Sequence, residues 1–181
     1  MSYERIFVLI VMILQVNCQQ WVAKFKVLHE AIIDCPDKGT NEIQLNWRLN
    51  RVNKSLQVME GPIHFYRDFD DSLDVHAKLW AWQNGGWKAG TGLDFRKSQG
   101  CSTFTLVLGQ VWKQITKIAH MPSSCPYKKG SWNMTNLNSR AWDNLALPGA
   151  PLNKYKLEFS FVSKDDTIRG CYSSIFRVAK K

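Results

Sequence analysis

The sequence predicts a mostly antiparallel β protein: a cup or sandwich of sheets with one helix, long rim loops and two disulfides. Three observations carry that expectation. Apolar and polar residues alternate over most of the chain, the period of strands with one buried face. One stretch, about Ser102–His120, changes to helical spacing. Four cysteines, Cys35, Cys101, Cys125 and Cys171, remain once residues 1–20 are set aside, and an even count behind an export signal reads as disulfides. Many strands with one helix make sheets that need a cover.

Residues 1–20 read as a signal peptide. Arg5 supplies the basic start, Ile6–Leu14 is an unbroken apolar run, and polar Gln15, Asn17, Gln19 and Gln20 follow. The run is short for a bilayer span, which needs about 20 residues, and a membrane anchor is the rival reading. Cys18 falls at the cleavage region. Residues 21–181 then form a single domain, secreted or extracellular, with a lysosomal destination as the alternative. A chain of this size buries about 70% of its surface on folding.

Weak strand signals cover Ala23–Ile33 and Leu56–Tyr66, the second interrupted at Gly61-Pro62. Between them Ile43, Leu45, Trp47 and Leu49 oppose Gln44, Asn46, Arg48 and Asn50. Leu73, Val75, Ala77, Leu79 and Ala81 repeat the pattern, Asn84-Gly85-Gly86 turns the chain, and a short strand follows near Trp87. Trp80 and Trp82 face away from Leu79 and Ala81, so that strand is either buried on both sides or displays aromatics. Phe104, Leu108, Val111, Ile115 and Ile118 form the helical stripe, weakened by Gly109 and stopped at Met121-Pro122. Ser131–Asn153 reads as a long polar loop bearing Trp132, Trp142, Leu145 and Leu147. Tyr155, Leu157, Phe159 and Phe161 alternate next, and after a turn at Ser163–Asp166 a last strand runs from about Thr167 to Val178.

Four cysteines allow three pairings, and sequence alone does not choose among them. The favoured set is Cys35–Cys171, a staple between the ends, with Cys101–Cys125 closing the helical segment. On the chain-entropy model these stabilise by roughly 4–5 and roughly 3 kcal/mol. The sequons at Asn53 and Asn133 fit a secreted glycoprotein. The net charge of +9 suits an acidic partner, an anionic lipid or simple solubility, and export argues against nucleic acid.

From Gly100 onward the chain resembles the ganglioside GM2 activator and related insect secreted chemosensory proteins, members of the ML lipid-recognition group. Gly100-Cys101-Ser102-Thr103-Phe104, Cys125-Pro126-Tyr127-Lys128-Lys129-Gly130, and Tyr155-Lys156-Leu157 through Gly170-Cys171 carry that resemblance. Cys35 stands where the family has the partner of its last cysteine, which supports Cys35–Cys171. The vertebrate activator has more cysteines around its helix, so the insect branch is the closer fit.

The resemblance implies a β cup around a lipid, a glycolipid or a long-chain hydrocarbon. The expected interior residues are Trp47, Leu49, Leu79, Phe104, Leu108, Leu157 and Phe159. The expected rim or membrane contacts are Trp87, Trp142 and Leu145. The same aromatics equally suit a plain core.

Catalysis is not expected: the chain lacks Gly-x-Ser-x-Gly, His-Glu-x-x-His and a phosphate-binding glycine loop. His29, His64, His76 and His120 are scattered, and Asp68, Asp70 and Asp71 read as an acidic turn rather than a cation site. No cofactor or metal is expected. The function expected is a secreted carrier of lipids or hydrophobic semiochemicals, presenting them to a receptor in chemosensory or pheromone detection. A glycolipid-presenting activator of a hydrolase is the alternative, and an adhesion module with a filled interior is a third class.

Overall fold

The computed structural model describes residues 25–53, 56–89, 94–145 and 151–181. The expected signal peptide and Leu147 lie outside them. In chain order the elements are β1 (Phe25–Ile33), β2 (Ile43–Leu45), β3 (Arg48–Arg51), β4 (Gln57–Phe65), β5 (Asp74–Gln83), β6 (Gly86–Lys88) and β7 (Asp94–Lys97). Helices α1 (Gly100–Leu108) and α2 (Gln110–Ile118) follow. Then come β8 (Gly130–Asn138), a 3-10 turn (Ser139–Asn144), β9 (Lys154–Val162) and β10 (Ile168–Lys180).

The strands fall into two groups. In the larger, β1, β10, β9 and β5 lie side by side and antiparallel, and β6 and β7 pair with β5. In the smaller, β4 carries β2 and β3 along one edge and β8 along the other. A parallel contact from Gly170 in β10 to Ile43 in β2 joins the groups. A Cβ on Gly170 would lie 2.1 Å from the Ile43 carbonyl oxygen, so this crossing needs glycine. Next to it, Cys171 is bonded to Cys35, and Cys101 in α1 is bonded to Cys125, both as expected.

The predicted strands around Val75, Phe159 and Tyr172 are present, with Val75, Ala77, Leu157, Phe159 and Phe161 facing the core. Three local expectations change. The single helix is two, meeting at Gly109, whose φ of 50° and ψ of −117° end α1. The apolar stripe nonetheless continues across the break, with Phe104, Leu108, Val111 and Ile115 all buried. Gly61-Pro62 does not interrupt β4; the irregularity is taken up as a register shift against β8 between Met59 and Gly61.

The first part of the supposed polar loop is strand β8, with Met134 and Leu137 buried. Their spacing of three arises because Asn136 turns to a φ of 55°, which breaks the alternation that betrays a strand.

The core lies between the two groups of strands. Phe69 meets Phe161 at 4.9 Å, and Phe104 meets Phe159 at 5.3 Å, both edge to face. Such pairs are worth about 0.5–1.5 kcal/mol beyond their buried area. Helix α1 packs against β5 and α2 against β8, so the helices close one end.

Candidate functional site

Phe104, Leu108, Leu157 and Phe159, expected to line a cavity, are fully buried in the shared core. Trp47 is buried against Tyr172 with ring centres 5.0 Å apart, and Leu49 and Leu79 pack half-buried on the same cluster. Trp47 also borders a cavity of about 270 Å³ beside the Cys35–Cys171 bridge.

The three rim residues separate. Trp142 and Leu145 are buried, with 2% and 7% of their surface exposed, because the 3-10 turn folds Trp142 inward onto His29. Trp87 stands half-exposed on the outer face of the larger sheet. There it meets Trp82 edge to face at 5.1 Å, with Lys154 Nζ 6.0 Å from its ring centre. The open question about Trp80 and Trp82 is thereby answered: the strand displays aromatics, and Lys156 Nζ lies 4.0 Å from the centre of the Trp80 ring.

A cleft of about 850 Å³ opens where β1, the edge of the larger sheet, approaches β3 of the smaller one and the 3-10 turn crosses it. Alternation in β1 turns Val27 and His29 inward as its floor, while Leu28 stays 41% exposed at the side. The Val27 N–H, on the free edge of β1, donates to Asp143 Oδ1 at 2.7 Å, and this fastens the 3-10 turn.

The cleft is basic. Lys26, Arg51, Arg140, Arg177 and Lys181 line it against two carboxylates, Glu30 and Asp143. Glu30 is held by Arg177 at 2.9 Å and by Lys154 at 2.7 Å; these partners keep its carboxyl below the usual carboxylate range. Asp143 receives Lys181 at 3.4 Å. Among the described residues, no carboxylate pairs with Lys26, Arg51 or Arg140.

Beneath these cations His29 is 3% exposed, and neither ring nitrogen has a hydrogen-bond partner. Burial pushes its pKa down to about 4, so the ring is neutral. The indole N–H of Trp142, its edge-on neighbour at 4.9 Å, is also unpartnered. Sequence reasoning passed over His29 as one of four scattered histidines. The available signal was its place two residues after Val27, on the inward side of an alternating strand.

The acidic turn and two of the other histidines have structural partners. Asp68 accepts from Lys128 Nζ at 2.8 Å and the Lys129 N–H at 2.9 Å, and Asp71 accepts from the Ser102 N–H at 2.8 Å at the start of α1. Asp70 accepts from the Ser72 N–H at 2.9 Å. His64 Nδ1 lies 2.9 Å from Ser131 Oγ, and His76 Nε2 lies 2.9 Å from Asp94 Oδ1. Cys35, Glu158 and Cys171 converge within 4.8 Å, but both sulfurs are committed to the disulfide. Asn133 is exposed on β8; Asn53 is exposed and accepts from the Leu56 N–H at 3.0 Å, while residues 54 and 55 lie outside the described residues.

Fold and site define a two-disulfide β protein with a basic cleft at the seam of its sheets. No family model and no curated protein matches the chain. Among solved structures it is similar to chicken MD-1 complexed with lipid IVa, at 12% identity. That match covers 90% of this chain and 94% of the other, with a TM-score of 0.30.

Proposed function

We propose that the protein binds a lipid or other long-chain amphipath and, as a secreted, non-catalytic carrier, presents it to a receptor. The observation that carries this reading is the cleft at the seam of the sheets. Its volume of about 850 Å³ falls within the rough 300–1,000 Å³ range of ligand sites. Its floor of Val27 and His29 is backed by Trp142 and by Phe176, whose ring lies 6.1 Å from that of His29. Each methylene that a guest buries contributes about 0.8 kcal/mol.

Two disulfides suit an oxidising compartment, which supports secretion. The cysteine-centred motifs shared with the lipid-recognition group support a lipid as the cargo. A hydrophobic semiochemical is the finer form of the same reading, and identifying the guest decides it.

Native mass spectrometry of the purified protein tests the proposal. The expected result is a folded species carrying a removable guest, and saturable rebinding of a fluorescent fatty-acid probe after extraction. A protein with no guest that also fails to bind any long-chain probe is not a lipid carrier.

A further inference from the structure

We propose that the cleft is a site for an oxyanion head: Lys26, Arg51 and Arg140 hold the carboxylate or phosphate of an amphipath above His29. This rests on the lipid-binding reading and adds the chemistry of the head.

Two independent observations converge. The first is charge. Five cations face two carboxylates in the cleft, and both carboxylates are already engaged by Arg177, Lys154 and Lys181. Lys26, Arg51 and Arg140, contributed by β1, β3 and the 3-10 turn, are left without an acidic partner among the described residues. They come from three separate elements and face one opening, so their mutual repulsion is relieved when an anion sits between them.

The second observation is buried and polar. His29 is 3% exposed, lines the cleft, and has two nitrogens without a partner. An unpartnered buried polar group is unfavourable, and an oxyanion at the cleft floor offers an acceptor to the ring N–H. A neutral head such as an alcohol leaves the three cations without a counter-charge. A guanidinium also matches the fork of a carboxylate or phosphate, which suits Arg51 and Arg140 to the contact.

Calorimetric titration of the purified, disulfide-bonded protein with dodecanoate, dodecyl phosphate and dodecanol is the test. An anion is expected to bind at least about tenfold tighter than dodecanol, and added salt to narrow that gap. The stronger of the two anions identifies the head. The double variant Arg51→Gln/Arg140→Gln should remove most of the advantage and leave dodecanol within about twofold. The His29 ring resonances of the unsubstituted protein should move with the anions and stay in place with dodecanol; this reading holds even if the variant folds poorly.

Equal affinity for dodecanol and both anions overturns the oxyanion site and leaves the lipid-binding reading intact. Failure of all three ligands overturns both.

Discussion

The indole N–H of Trp112 donates to the hydroxyl of Tyr127 at 2.8 Å inside the core. That bond ties α2 to the segment after it, which is also held by the Cys101–Cys125 bridge and by paired backbone bonds of 2.8 and 3.0 Å between Phe69 and Tyr127. The segment after α2 is therefore fixed to α1, through Cys101, and to the turn before β5, through Phe69.

Tyr127→Phe removes the acceptor while keeping the ring, and it strands a buried N–H. The expected loss is about 1–3 kcal/mol of unfolding free energy, read from the urea midpoint. Adding Trp112→Phe should cost less than the sum of the single changes, because the second substitution removes a group already unpaired. Strict additivity would mean that the bond contributes nothing.

Protonation of His29 opposes folding, because its pKa falls from 6.5 in the open chain to about 4 when buried. Well above pH 6.5 both states are neutral and the fold loses nothing. As pH falls through the interval the unfolded chain takes up a proton that the folded one refuses, so stability declines. The full difference is about 3 kcal/mol, of which about 2 kcal/mol is gone by pH 5. Carboxylates with lowered pKa, such as Glu30, act below about pH 4.5, so comparing pH 7 with pH 5 isolates the histidine. Urea melts at those two values should show the decline in the natural protein and little of it in His29→Asn.

Much of the architecture was legible from spacing. Strands β5 and β9 announce themselves because Val75, Ala77, Phe159 and Phe161 keep strict alternation; the even cysteine count announced two disulfides, and placement in the chain with the family resemblance favoured the pairing that forms. Strand β8 was illegible for a local reason: Asn136 adopts a left-handed turn between Met134 and Leu137, so its buried residues fall at the wrong interval. The cleft was illegible for a global one. Lys26, Arg51 and Arg140 are isolated surface cations in the sequence, and only the approach of β1 to β3 beneath the 3-10 turn brings them together. The burial of Trp142 has the same origin, since its pocket is supplied by His29 more than a hundred residues earlier.

Gly109 offers a test of the split helix. In a continuous helix, replacing an interior glycine with alanine is stabilising by up to about 1 kcal/mol. Here φ is 50°, and a Cβ would meet nothing closer than the Leu106 carbonyl oxygen at 3.6 Å, so the penalty is one of backbone conformation alone. Gly109→Ala should therefore destabilise by about 1–3 kcal/mol. A rise in melting temperature would instead mean that α1 and α2 form one helix in solution.

The outer face of the larger sheet carries the last prediction. Trp80, Trp82 and Trp87 stand there with Lys154 and Lys156 against their rings, and Trp82 is 42% exposed. Indole rings suit the boundary between water and lipid, and lysines near an anionic surface add about 1 kcal/mol each. Trp87→Ala breaks the edge-to-face pair with Trp82, whose contribution to folding is about 0.5–1.5 kcal/mol. If this face meets membranes, the variant should lose several-fold in binding to phosphatidylserine-containing vesicles while its melting temperature falls by only a few degrees. Vesicle binding that survives the substitution, or falls only as far as the folded fraction falls, would make Trp87 a structural residue of the hairpin between β5 and β6.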